Sequence, residues 1–158
     1  MRWQWLSDEA SAAQVVALLT ASADEELRSA GLEEPLLSTL AHMQGLARMQ
    51  GHAQAYPLAQ QGCIAAEDGS LVGRILVSKA GMWHLVDLVV HPLFRRRGLG
   101  TWMLQSLLDD AGAAGASVSL LVRRGSPAEA MYRRAGFAAW AIHELEVECR
   151  WDSASRPR

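Results

Sequence analysis

Cysteine is scarce: only Cys63 and Cys149 occur in 158 residues. They stand far apart and form no close pair of the kind that holds structural zinc, so reduced, buried thiols are expected. Spacing alone leaves a disulfide between them open. Long apolar runs are missing as well. No stretch approaches the ~20 residues needed to cross a bilayer, and the opening segment, where Arg2, Trp3 and Trp5 run into Asp8 and Glu9, has no signal-peptide core. A cytoplasmic protein with no membrane partner is expected. Positive charge is not in excess, the formal net charge being −2. Nucleic acid is therefore not an expected partner, because its general binders carry a basic stripe that neutralises many phosphates. His42, His52, His91 and His143 fall at no metal-ligand spacing with Asp, Glu or Cys. They read as ordinary polar or packing residues, and no metal is expected. Gly-x-Gly-x-x-Gly and a Gly-Lys-Ser/Thr ending are also absent, which argues against the Rossmann and P-loop classes.

What is present is an apolar half, 50% of the residues, enough for a hydrophobic core. With no repeat and no linker, residues 1–151 are expected to form a single domain and 152–158 a disordered tail. Met1 to Leu6 is a candidate first strand. Ser7 is then expected to cap a helix whose Val15, Val16, Leu18 and Leu19 recur at helical spacing. A second helix is predicted from Pro35 to Gln50, with Gly51 as its stop and an acidic connection before it. Cys63–Glu67 and Leu71–Ser78 read as a hairpin about Asp68-Gly69. Trp83–Val90 reads as a strand buried on both faces, interrupted by His84 and Asp87. A helix from Gly98 to Gly112 lines up Leu99, Met103, Leu104, Leu107 and Leu108, and Ser117–Val122 follows as a strand. Strand, helix, strand implies a parallel crossover. A further helix spans Ser126 to Ala135, and Phe137 to Trp151 forms two closing strands broken near Ala141 to Glu144.

The most informative segment is Arg95-Arg96-Arg97-Gly98-Leu99-Gly100, at the junction of a strand and an amphipathic helix. Such a junction aims unpaired amide N–H groups at an anion, the helix dipole adds roughly half a positive charge, and glycines let phosphate oxygens approach the backbone. Taken alone, the segment also reads as a tight turn with a solvated arginine run.

Arg95-x-x-Gly98-x-Gly100 after the strand resembles the pyrophosphate motif of the GCN5-related N-acetyltransferases. Ser126-Pro127-Ala128, then Tyr132, then Gly136-Phe137, is similar to that family's second signature, with Ser126 in place of the common asparagine. The likeness runs from roughly Leu71 to Trp140. It implies an α/β fold with a central mixed, mostly antiparallel twisted sheet of six to seven strands. A parallel strand–helix–strand crossover and about four helices complete it. It further implies acetyl-CoA as cosubstrate and an N-acetyltransferase acting through a ternary complex. Backbone groups of Leu88, Val89 and Val90 are then expected to bind the pantetheine, where the strand splays from its neighbour. Amides of Arg95, Arg96, Arg97, Gly98, Leu99, Gly100 and Thr101 would hold the pyrophosphate, with Ser126 and Arg134 also on the cofactor side and Arg96 or Arg134 reaching the 3′-phosphate.

Acetyl transfer needs a proton for the departing sulfur, and a phenol, with a pKa of about 10, holds one at neutral pH. Tyr132 is the candidate acid. Asp87 is the candidate base, since a carboxylate in an apolar run costs free energy unless partnered; its other reading is a structural carboxylate that holds an arginine or loop amides. His84 and Asp87, three apart on one strand, point to opposite faces. The resemblance makes Ala41 to Pro57, with Arg48, Met49, His52 and Tyr56, a wall over the acceptor. Glu25, Glu26, Glu33 and Glu34 are expected in the loop between the first helices. A small-molecule amine is the leading acceptor, ahead of a peptide N-terminus or lysine; a non-catalytic acyl-CoA sensor is the competing class. Trp83, Trp102 and Trp140 are expected in the core or in subunit contacts, and a homodimer through the last strands is the candidate oligomer.

Overall fold

The structure is a computed structural model and describes residues 3–155. In chain order its elements are α1 (Ala12–Ser29), α2 (Leu36–Ala55), β1 (Gln60–Ala65), β2 (Leu71–Ser78), β3 (Trp83–Val90), α3 (Leu99–Ala113), β4 (Val118–Arg123), α4 (Pro127–Arg134), β5 (Ala138–Ile142) and β6 (Glu146–Trp151). The six strands form one mixed sheet in the order β1-β2-β3-β4-β6-β5. This is the expected α/β architecture, with β3 and β4 parallel about α3. Among the described residues no helix is long and apolar enough to cross a membrane.

The chain divides into two compact units. The first holds residues up to Leu76 together with Asp87–Gly100. In it α1 packs on α2, and Val15, Leu18 and Leu19 share a core with Cys63, Leu71 and Val89. The helices approach closely at Gly45, where an added Cβ would lie 2.6 Å from Thr20 Oγ1 and 2.8 Å from its backbone nitrogen. Ser11, not Ser7, caps α1. Its hydroxyl accepts from the Gln14 N–H at 3.2 Å while the Gln14 carboxamide accepts from the Ser11 N–H at 2.8 Å, a reciprocal box that Ser7 and Ala10 cannot make. Because α1 runs to Ser29, Glu25 and Glu26 are helical and do not belong to the connection. Helix α2 passes through Gly51 and ends at Tyr56, which precedes Pro57 and is thereby biased away from helical backbone. Trp3 to Leu6 form no strand; a bond from the Leu6 N–H to the Cys63 carbonyl helps tie the segment to β1.

The second unit holds Val77–Val86 and the residues from Thr101 on. Its parallel ladder pairs Trp83, His84 and Leu85 with Val118, Ser119 and Leu120, and β6 runs antiparallel between β4 and β5. Met103, Leu104, Leu107 and Leu108 of α3 are buried, as are Val118, Leu120, Val147 and Trp151. The strand enclosed on both faces is β2, whose residues Leu71 to Val77 are all buried; β3 is mostly half-buried. Trp140 is 65% exposed at a register shift in the β5–β6 pairing, where the Arg150 guanidinium lies over its ring at 4.0 Å. That position corrects its expected place in the core. Ser153–Ser155 form a short 3-10 turn after β6. The rest of the expected tail, 156–158, and the start of the expected first strand, Met1 and Arg2, lie outside the described residues. Both thiols are buried and free, and burial pushes each of them up from its ordinary pKa.

Candidate active site

The arginine–glycine segment takes the shape that anion binding requires. Arg95 ends a one-turn 3-10 helix over Pro92–Phe94 in extended backbone. Arg96 then adopts φ +62° and Gly98 φ +78°, immediately before α3 begins at Leu99. A non-glycine residue at positive φ is strained, and its retention points to a loop shaped for function. Alternation of this kind turns successive N–H groups into one concavity. Arg95 to Gly98 are exposed while Leu99 anchors the helix in the interior. The three arginine side chains differ in their engagements. Arg95 is bound to Glu25 of α1 and donates to the Val90 carbonyl at 3.4 Å. Arg97 stacks on Phe94 at 5.0 Å. The loop therefore fits a pyrophosphate on backbone grounds, with Arg96 at its strained centre.

Asp87 is 10% exposed and one of its oxygens accepts from Arg48 of α2. Of its two sequence readings, the arginine-holding one is what the structure displays. Its second oxygen is buried without a hydrogen-bond partner and faces His52 Nδ1 at 3.8 Å. Burial lowers the His52 pKa, with Asp87 opposing. His84 is placed apart from this group, its Nδ1 lying 2.9 Å from the Ser119 hydroxyl. Leu88, Val89 and Val90 follow Asp87 on β3, beyond Leu85, the last residue of the parallel ladder.

In the second unit, Ser126 uses its hydroxyl to cap α4, accepting from the Glu129 N–H at 3.2 Å and donating to the Arg123 carbonyl at 2.7 Å. A serine thus does a local job at a position where the related motif carries asparagine. Tyr132 is 7% exposed and meets Phe137 edge-on, with centroids 5.7 Å apart. Arg134 and Thr101 are exposed.

Arg74 escaped the sequence reading, although Met49, His52 and Tyr56, which line the same cavity, were among the expected acceptor-wall residues. A cavity of about 630 Å³ in the first unit is lined by Met49, His52, Tyr56, Gln61, Cys63 and Arg74, among others. Arg74 is 7% exposed; its Nε donates to Gln61 at 2.8 Å and its NH1 has no hydrogen-bond partner. The signal was there: an arginine inside Leu-Val-Gly-Arg-Ile-Leu-Val, and Arg48 and His52 four apart on one helix face. No group of His, Cys, Asp or Glu among the described residues is arranged to hold a metal ion.

A mixed sheet with one parallel crossover, and a turn with two left-handed residues at the head of the crossover helix, define an α/β protein with an anion-shaped loop. The profile of the acetyltransferase (GNAT) family matches residues 18–137, and the chain belongs to that family: it is an N-acetyltransferase whose cosubstrate is acetyl-CoA. Solved structures share the fold. The PaiA N-acetyltransferase of Thermoplasma acidophilum, in complex with coenzyme A, is 14% identical, with 96% of this chain and 99% of that chain covered at a TM-score of 0.68. Ard1 of Thermoplasma volcanium is 18% identical over 92% of this chain and 95% of that one, at 0.62. The ribosomal-protein-S18-alanine N-acetyltransferase of Escherichia coli is 16% identical over 94% and 91%, at 0.59. No curated protein sequence matches the chain.

Proposed function

We propose that this enzyme passes the acetyl group directly to a small-molecule primary amine, both substrates being bound at once. The observation that carries the reading is the turn at Arg96 and Gly98, both left-handed, at the head of α3. The backbone N–H groups from Arg96 to Thr101 would hold the pyrophosphate, the Arg95 N–H being turned to the Pro92 carbonyl, and Arg96 would supply charge toward the remaining phosphate. When bound, acetyl-CoA supplies the activated acyl group as a thioester. Leu88 to Val90 offer main-chain groups to the pantetheine arm, and a backbone N–H there polarises the carbonyl. Tyr132 protonates the leaving sulfur. Asp87 is committed to Arg48 and turned toward His52, so the amine reaches the site neutral by losing its proton to solvent.

Thiol release from acetyl-CoA, measured over a panel of amines that includes free amino acids, polyamines and N-terminal peptides, tests this. Turnover is expected with small amines, and Tyr132→Phe should lower kcat by about 10²–10⁴-fold, the range for loss of a general acid, while CoA binding is retained. Full turnover in Tyr132→Phe would remove the tyrosine from the mechanism.

A further inference from the structure

Arg74 presents a demand that the protein does not meet. Its guanidinium carries five N–H donors and a charge it does not give up at ordinary pH. It sits in the enclosed strand β2, where an unmet buried donor costs free energy. Gln61 takes Nε, yet NH1 is left without a partner. The nearby carboxylate, Asp87, is held by Arg48, and its other oxygen faces His52. Asp87 acts on Arg74 by its charge, yet NH1 has no hydrogen-bond acceptor, and that acceptor is what the site is short of.

The cavity that Arg74 lines has room for one. About 630 Å³ lies inside the ~300–1,000 Å³ range of small-molecule sites. The same cavity is lined by Asp8 and Glu9, both exposed, so its buried wall is cationic and its solvent side acidic. That polarity complements a molecule with a carboxylate at one end and an ammonium at the other.

We propose that this cavity is a binding site for a small aminocarboxylate, a free amino acid or a compound of that chemistry, whose carboxylate is received by Arg74. Binding here does not presuppose acetyl transfer.

Isothermal titration of the full chain without acetyl-CoA, using the L-amino acids and their matched C-terminal amides as probes, separates the contributions. The amides keep the ammonium and lose the carboxylate. At least one free acid should bind, its amide at least about tenfold more weakly, as expected for loss of a charge-assisted bidentate contact. Arg74→Gln, which removes the charge, should bring acid and amide toward equal affinity. If substitution at Arg74 prevents folding, the acid–amide comparison on the unaltered protein decides alone. Absence of binding by every acid, equal affinity of acids and amides, or an unchanged preference in a folded Arg74→Gln protein would each overturn the assignment. Mass spectrometry after adding acetyl-CoA then tells the two sources apart. An acetylated probe marks the ligand as the acceptor, and a bound but unaltered probe marks it as a ligand that is not consumed; both uphold the site. Aminocarboxylate binding without CoA binding would sink the acetyl-transfer reading and leave this one standing.

Discussion

Asp87 divides its carboxylate between two residues of α2, one oxygen on Arg48 and the other, unpartnered, 3.8 Å from the His52 ring. Burial lowers the pKa of His52 from its ordinary 6.5, and that of His84 likewise. A histidine whose folded pKa is depressed binds fewer protons in the native than in the unfolded state. Stability is therefore full above the unfolded value and falls as acid is added below it, until the folded value is passed. Urea midpoints should hold steady well above the ordinary histidine pKa and decline as the pH falls through and below it, and His52→Gln should flatten part of that decline. A midpoint that rises on acidification would contradict the assignment. At this scale the sequence drew attention to Tyr132, Asp87 and the arginine–glycine run, since each breaks a local pattern. It did not reveal that Arg48, His52 and Arg74 gather near Asp87, because three of the four lie on different elements and only tertiary packing joins them.

Among the elements, α2 contains two glycines whose surroundings predict opposite effects. Gly51 is exposed, with nothing within 4 Å of an added Cβ. Gly51→Ala should stabilise the protein by up to about 1 kcal/mol, the helix-propensity difference. Gly45 lies against Thr20, with 3.1 Å to its Cα. Gly45→Ala should cost about 1–3 kcal/mol through overpacking, because the obstruction is partly backbone and cannot swing away. Thermal or urea unfolding of the two variants checks both signs at once. The boundaries of β3 and α4 were legible because Ala80-Gly81, Pro92 and Gly136 punctuate them. The start of α1 and the end of α2 were misplaced for physical reasons: a reciprocal cap outcompetes an isolated serine, and an exposed glycine weakens a helix without ending it. The enclosure of β2 was hidden by Arg74, a charge that sequence patterning assigns to solvent.

For the molecule as a whole, cofactor binding is a stability measurement. A ligand at 100 times its Kd stabilises the native state by about 2.7 kcal/mol. Melting curves with acetyl-CoA or CoA should shift upward accordingly, whereas NAD and ATP at equal concentration should give less. A larger shift with NAD or ATP would mean that the arginine–glycine turn has been misread. The alternation of strands and helices and the parallel crossover were legible in the sequence. The division into two compact units was not, since its boundaries fall within β2, β3 and α3, after Leu76, before Asp87 and after Gly100, where no change of composition marks them. The ion pair between Arg95 and Glu25 spans 70 positions of sequence and ties the arginine–glycine turn to the flank of α1. Its genetic consequence is that a screen for lost acetyl transfer should return α1 alleles at Glu25 alongside those in the turn.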